Sequence, residues 1–177
     1  MNASTKALTF TGFLILTRIM PGIVDGQTPT SSSLSDAVQK QLIGTWKITA
    51  FEDRKDEHDP NSEWTYPYGK NPKGYLVYDN TGHVMIQIMK TPPGPPFASG
   101  DDEKPTAEEM KRAFTGYVAY FGTYTVDAAK SVVIHHVEGS LKPSFIGTDQ
   151  PRPFVLAGDR LIIGDGKTWR RVFERVK

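Results

Sequence analysis

The side chains best suited to chemistry are His135 and His136, adjacent in the run Val132-Val133-Ile134-His135-His136-Val137-Glu138. Imidazole is the one side chain whose ordinary pKa lies near neutral pH. Neighbours on a strand point to opposite faces, so the two cannot hold one metal ion from that strand. No metal and no cofactor is expected. One of the pair should face inward, as a general acid or base or as a hydrogen-bond partner for a ligand carbonyl. Alternation does not decide which. Glu138 shares the parity of His136 and is costly to bury unpaired, which tilts the choice toward His135. A satisfied structural histidine would explain either position equally well.

Around these lies an aromatic set, Tyr75, Tyr78, Tyr117, Tyr120, Phe121 and Tyr124, offering apolar area with hydroxyl handles. Gln87 has Met85 and Met89 on its own parity and is a neutral donor and acceptor on an apolar face. Tyr78, Gln87, Tyr120 and Tyr124 are therefore the candidate ligand-binding residues, expected to line one pocket with a histidine. Asp149, in the segment Pro143 to Gln150, is a candidate proton acceptor, although an Asx-turn suits it better. No Gly-rich phosphate loop, serine-elbow motif, His-Glu-x-x-His run or calcium-loop pattern occurs.

The elements that must position these groups read as strands. Eight runs alternate or carry β-branched and aromatic residues: 46–51, 73–78, 83–89, 120–126, 131–139, 153–157, 160–163 and 168–176. In the first, Trp46, Ile48 and Ala50 share a face, and the charged stretch from Glu52 to Glu63 reads as a solvated loop. Gly44-Thr45-Trp46 opens the series and Trp169 to Arg175 closes it. A barrel has no free edge, so its first and last strands pair, and Trp46 beside Arg175 is expected to seal one end. A short helix over Asp36–Leu42, capped by Ser35, should lead into the barrel. Thr106-Ala107-Glu108-Glu109 is a capping box, and Met110, Ala113, Phe114 and Tyr117 follow at helical spacing, which predicts a helix packed on the barrel wall. The expected fold is all-β, an eight-stranded antiparallel barrel with that one amphipathic helix.

Residues 1–26 differ from the rest. Lys6 precedes an apolar run from Ala7 to Leu16, too short to span a bilayer, and Gly26 offers a small residue for cleavage. This is the layout of a signal peptide and predicts a secreted protein, with 27–40 as linker and short helix and 41–177 as the barrel domain. Removing Lys6, Arg18 and Asp25 from 21 basic and 20 acidic residues leaves 19 of each. A neutral chain lacks the cationic surface that nucleic acid or an anionic membrane requires, so neither is an expected partner once the leader is cleaved. With no cysteine there is no disulfide, thiolate nucleophile or Cys-based metal site.

Six ordered blocks carry a resemblance: Gly44-Thr45-Trp46; Tyr66-Pro67-Tyr68-Gly69 with Asn71 to Leu76; Gly82-His83-Val84-Met85 with Gln87; Pro96 to Gly100; Gly116 to Tyr124; and His135 to Leu141. Over residues 41–176 the chain resembles the lipocalin-like domain family of bacteria and fungi. The resemblance implies a calycin-type barrel, in a family whose members often lie beside secondary-metabolite genes. Two functions follow as expectations. In the first, the barrel acts on a hydrophobic polyketide- or terpenoid-like intermediate as a cofactor-independent isomerase, cyclase or dehydratase, with one histidine moving the proton. In the alternative it is a secreted carrier of a small apolar ligand, without catalysis. Both take a small hydrophobic molecule as partner.

Overall fold

Short runs with alternating apolar side chains each have one face to bury, and here they bury it by closing on one another. The computed structural model describes residues 30–177. The leader expected over residues 1–26 and its cleavage near Gly26 lie outside them. In chain order come α1 (Ser31–Leu42), β1 (Gly44–Arg54), β2 (Trp64–Thr65), β3 (Lys73–Tyr78), β4 (His83–Met89) and α2 (Ala107–Thr115). Then follow β5 (Tyr117–Asp127), β6 (Val132–Ser140), a 3-10 turn (Pro143–Phe145), β7 (Asp149–Ala157), β8 (Arg160–Ile163) and β9 (Trp169–Arg175). The strands form one antiparallel sheet in the order β2-β1-β3-β4-β5-β6-β7-β8-β9, and β1 also pairs with β9. Eight strands thus close a barrel, while the two-residue β2 extends the edge of β1 beyond its pairing with β3.

One end of the barrel is plugged by the end of α1. Trp46 is fully buried, donates from Nε1 to the Leu42 carbonyl at 2.8 Å, and carries the Arg175 guanidinium 4.0 Å above its ring. Arg175 also donates to the carbonyls of Ile43 and Gln41, at 2.8 and 2.6 Å. The last carbonyls of a helix have no partner within it and carry its negative dipole end, so an indole N–H and a guanidinium are suited to satisfy them. Helix α1 is one turn longer than the sequence predicts. Its N-cap is Thr30, whose hydroxyl accepts from Ser33 N–H. Ser35 instead accepts from the Ala128 N–H, tying the helix to the β5–β6 turn.

Two bulges re-aim side chains that simple alternation would misplace. The β1–β9 register shifts between Ile48 and Ala50, so Trp46 and Ile48 face inward but Phe51, not Ala50, continues the row. The strand also runs on to Arg54. Glu52 and Asp53, expected in a solvated loop, instead pair with Arg170 and, at 2.7 Å, with Arg171. In the β5–β6 pair, Gly122 meets Val137 and Phe121 meets Gly139, leaving Glu138 as the extra residue. A Cβ on Gly122 would lie 2.0 Å from the His136 carbonyl oxygen, so only glycine fits there.

Helix α2 has the expected capping box: Thr106 accepts from Glu109 N–H, and the Glu109 carboxylate accepts from Thr106 N–H. Its apolar stripe does not lie on the wall, however. Met110 is 53% and Phe114 44% exposed, because the helix stands at the β4–β5 rim. It is anchored there by Glu109, whose second oxygen accepts from Ala98 N–H, just after the Pro-rich segment at 91–96. The outer face of β3 and β4 is correspondingly uncovered, with Tyr75 and Met85 exposed. Replacing Trp46 by Ala should remove both the plug and the Leu42 hydrogen bond. A loss of ~3–5 kcal/mol is expected, as for other large core truncations, and urea unfolding measures it.

Candidate functional site

Every strand's inward row is packed solid near α1 and opens toward the other end. Leu42, Trp46, Tyr78, Val133 and Leu161 leave no exposed surface in the lower half. Above them is a cavity of about 190 Å³ with apolar walls from Leu76, Ile86, Ile88, Ile163 and Phe173. Trp169, Phe145 and Lys142 border its mouth. A larger hollow, about 820 Å³, lies outside the lumen between the Pro-rich segment and α2. Its buried carboxylate, Glu109, is already consumed by the capping box and Ala98.

The boundary between solid core and cavity is a polar layer. His135, 1% exposed, has Nε2 2.8 Å from the Tyr78 hydroxyl and Nδ1 2.8 Å from the Tyr120 hydroxyl. Burial, reinforced by the nearby charge of Arg152, drives its pKa down from 6.5 to about 3, so the imidazole is neutral. A neutral imidazole has one donor and one acceptor. Tyr78 is fully buried with no other hydrogen-bond partner for its hydroxyl among the described residues; accepting from His135 would leave its own proton unpaired in the core. Hydrogen-bond satisfaction therefore assigns Tyr78 O–H as donor to Nε2 and Nδ1–H as donor to Tyr120. The Tyr120 proton is then left to point into the cavity. Burial raises the pKa of both tyrosines, that of Tyr78 strongly, so both stay protonated at neutral pH.

The candidate residues separate cleanly. Tyr120 and His135 line the cavity and Tyr78 supports them from beneath. Tyr124 faces inward but lower, its ring tilted against that of Tyr78 at 4.7 Å and its hydroxyl donating to the Asp79 carbonyl. Gln87 does not line the lumen: its side chain lies on the outer face of β4 and accepts from the Tyr117 hydroxyl. The opposite parity, with Ile86 and Ile88, takes the inward side. His136 also points outward, between Thr125 Oγ1 at 3.0 Å and Asp149 Oδ1 at 2.6 Å. Asp149 accordingly opens β7 as a cross-strand partner rather than closing an Asx-turn. Thr125, His136 and Asp149 have the order of a hydrolase relay, but they lie on the outside of the sheet and none of them borders the lumen. Among the described residues no group of three or more His, Asp or Glu side chains converges.

Alternation missed two lumen cations, Arg152 and Arg171. Arg171 shares parity with Trp169 and Phe173, and Arg152 with Phe154. The signal was present, but Pro151 and Pro153 disguised the first half of β7 as loop. A family model described as a lipocalin-like domain matches residues 43–173. The chain belongs to the lipocalin-like domain family. Over 85 residues it is 39% identical to the 4'-hydroxy-3'-methoxypropiophenone carrier protein ppsC of Aspergillus oryzae, a match covering 44% of this chain and 75% of that protein. In this lipocalin-like barrel the lumen is thus an apolar sleeve whose inner end offers a tyrosine hydroxyl backed by a neutral histidine.

The depressed pKa of His135 sets a pH dependence. The unfolded chain protonates this imidazole below about 6.5 and the folded barrel only below about 3, so the unfolded state binds more protons in between. Stability is then complete above pH 6.5 and falls as pH falls through that window. Urea unfolding should show ~1–2 kcal/mol less stability at pH 5 than at pH 7, and His135→Gln should lose that part of the slope whatever its starting stability.

Proposed function

We propose that this lipocalin-like protein is a carrier that holds one small, largely apolar molecule of secondary metabolism in its lumen and releases it chemically unchanged. The observation that carries this reading is the polar layer. Both nitrogens of His135 are engaged and its pKa lies at about 3, so it can orient a ligand but is poorly matched to exchanging protons near neutral pH. Isomerisation, cyclisation or dehydration would need such an exchange, and His136 lies on the outer face. A cavity of about 190 Å³ suits a ligand of one or two rings. The relative from Aspergillus oryzae, named for carrying an aryl ketone with a phenolic hydroxyl, supports the same class of cargo.

Trp169 at the mouth is a built-in reporter. Titrating the protein with 4'-hydroxy-3'-methoxypropiophenone should give saturable quenching at one equivalent, and chromatography should recover the ketone unaltered. Val118→Trp, which fills the lumen, should weaken binding by at least about tenfold. A new product formed in stoichiometric excess over protein would instead establish catalysis. The double variant His135→Gln, His136→Gln gives the cellular counterpart: with the protein shown to be folded, the producing strain should keep its product. We further propose that the leader read at residues 1–26 directs export. The intact mass of secreted material, expected to begin after Gly26, tests this.

A further inference from the structure

The cavity wall is electrostatically one-sided. Its lining includes Lys142, Arg152 and Arg171 and no carboxylate. Arg171 is neutralised: it donates to Asp53 at 2.7 Å and to the Glu52 carbonyl at 2.7 Å. Lys142 stands exposed at the mouth, where water screens it. Arg152 differs from both. It sits partly buried on β7 and forms no salt bridge among the described residues. Its neighbours are the Gln150 side-chain oxygen at 3.1 Å and the ring faces of Trp169 and Phe145 at 5.7 and 6.0 Å. These rings lie at the outer limit of useful cation–π attraction. Its charge acts on Tyr78, Tyr120 and His135, and its guanidinium lies within hydrogen-bonding reach of the Tyr120 hydroxyl oxygen. A guanidinium withdrawn from water without a carboxylate is costly unless an anion completes it. Beside it, the Tyr120 O–H is the one proton of the polar layer left without an acceptor. Two donors thus converge on a lumen that supplies no anionic acceptor of its own.

Resting on the carrier reading, we propose that the lumen takes its ligand as an oxyanion: a small apolar body bearing one acidic oxygen, phenolate, enolate or carboxylate, seated between the Arg152 guanidinium and the Tyr120 hydroxyl. The apolar body fills the sleeve toward Ile86, Ile88 and Phe173, and the acidic oxygen is held by charge-assisted hydrogen bonds. Neutral molecules of the same shape enter but are held less tightly. Ionisation of the cargo thereby sets retention, and protonation releases it.

A matched pair of probes tests this on the purified full chain: 4-nitrophenol, which ionises near neutral pH with a visible phenolate band, and 4-nitroanisole, its uncharged methyl ether. His135, Tyr78 and Tyr120 stay neutral through this range, so the phenolate band seen there belongs to the probe. Bound 4-nitrophenol should ionise about one pH unit or more below the free phenol, as expected for an opposite charge within a few ångströms. Arg152→Gln should abolish that shift and weaken phenolate binding by about tenfold or more, while 4-nitroanisole affinity changes less than about threefold. Should the Gln variant fail to hold 4-nitroanisole, Arg152→Lys, which keeps the charge, must retain the downward shift. A bound phenol that stays neutral, or an Arg152→Gln protein that binds phenolate as tightly as the parent, overturns the oxyanion proposal and leaves the carrier reading standing. Failure of the parent protein to bind either probe or the propiophenone overturns both.

Discussion

The pairing of β1 with β9 is the constraint on which the rest of the molecule depends. It joins residues nearly the whole described length apart and removes the last free strand edge, so the inward faces can bury apolar side chains without exposing a ladder. The seal at its end is made by groups with a second task. Trp46 and Arg175 stack together and at the same time satisfy the C-terminal carbonyls of α1, which lets an otherwise polar helix end be buried against the barrel floor. Because that end is solid, the empty volume is confined to the other half and can communicate with solvent only through the mouth.

Within this container the Tyr78–His135–Tyr120 layer gives the lumen direction. A buried neutral histidine with an unsatisfied nitrogen would cost ~1–3 kcal/mol, and here both nitrogens are used. Satisfaction runs from the most buried hydroxyl toward the cavity, so the chain of donors ends on a proton that points into the lumen. Specificity in such a site comes from a few oriented donors set in an apolar sleeve. On the reading we propose, the sleeve supplies affinity for shape, and Tyr120 with Arg152 a preference for what the polar end of the ligand carries.

The outer surface obeys different rules. Thr125, His136 and Asp149 link three neighbouring strands by side-chain hydrogen bonds, which stabilises the sheet as cross-strand pairs do. The ion pairs of Glu52 and Asp53 with Arg170 and Arg171 tie the mouth ends of β1 and β9 together, and Arg54 and Arg170 sandwich Trp64. Charge at this rim therefore reinforces closure where the bulge in β1 has weakened the regular ladder.

Much of this was legible in the chain. Alternation, turn residues and the bookends Trp46 and Arg175 determine eight antiparallel strands closed into a barrel, because the period of two and the need to pair edges are local and general requirements. The capping box of α2 and the candidacy of Tyr78, Tyr120 and His135 follow from residue type in the same way. Only the tertiary structure decided which side of the wall each candidate occupies. Parity is counted within one strand, and a bulge after Ile48 or at Glu138, or a choice of face such as Ile86 and Ile88 over Gln87, resets it through contacts with distant strands. The same holds for Arg152. Its charge reads as surface until β5 and β9 bring Tyr120 and Trp169 beside it, because whether a cation lacks a partner depends on every element around it and not on its own neighbours in sequence.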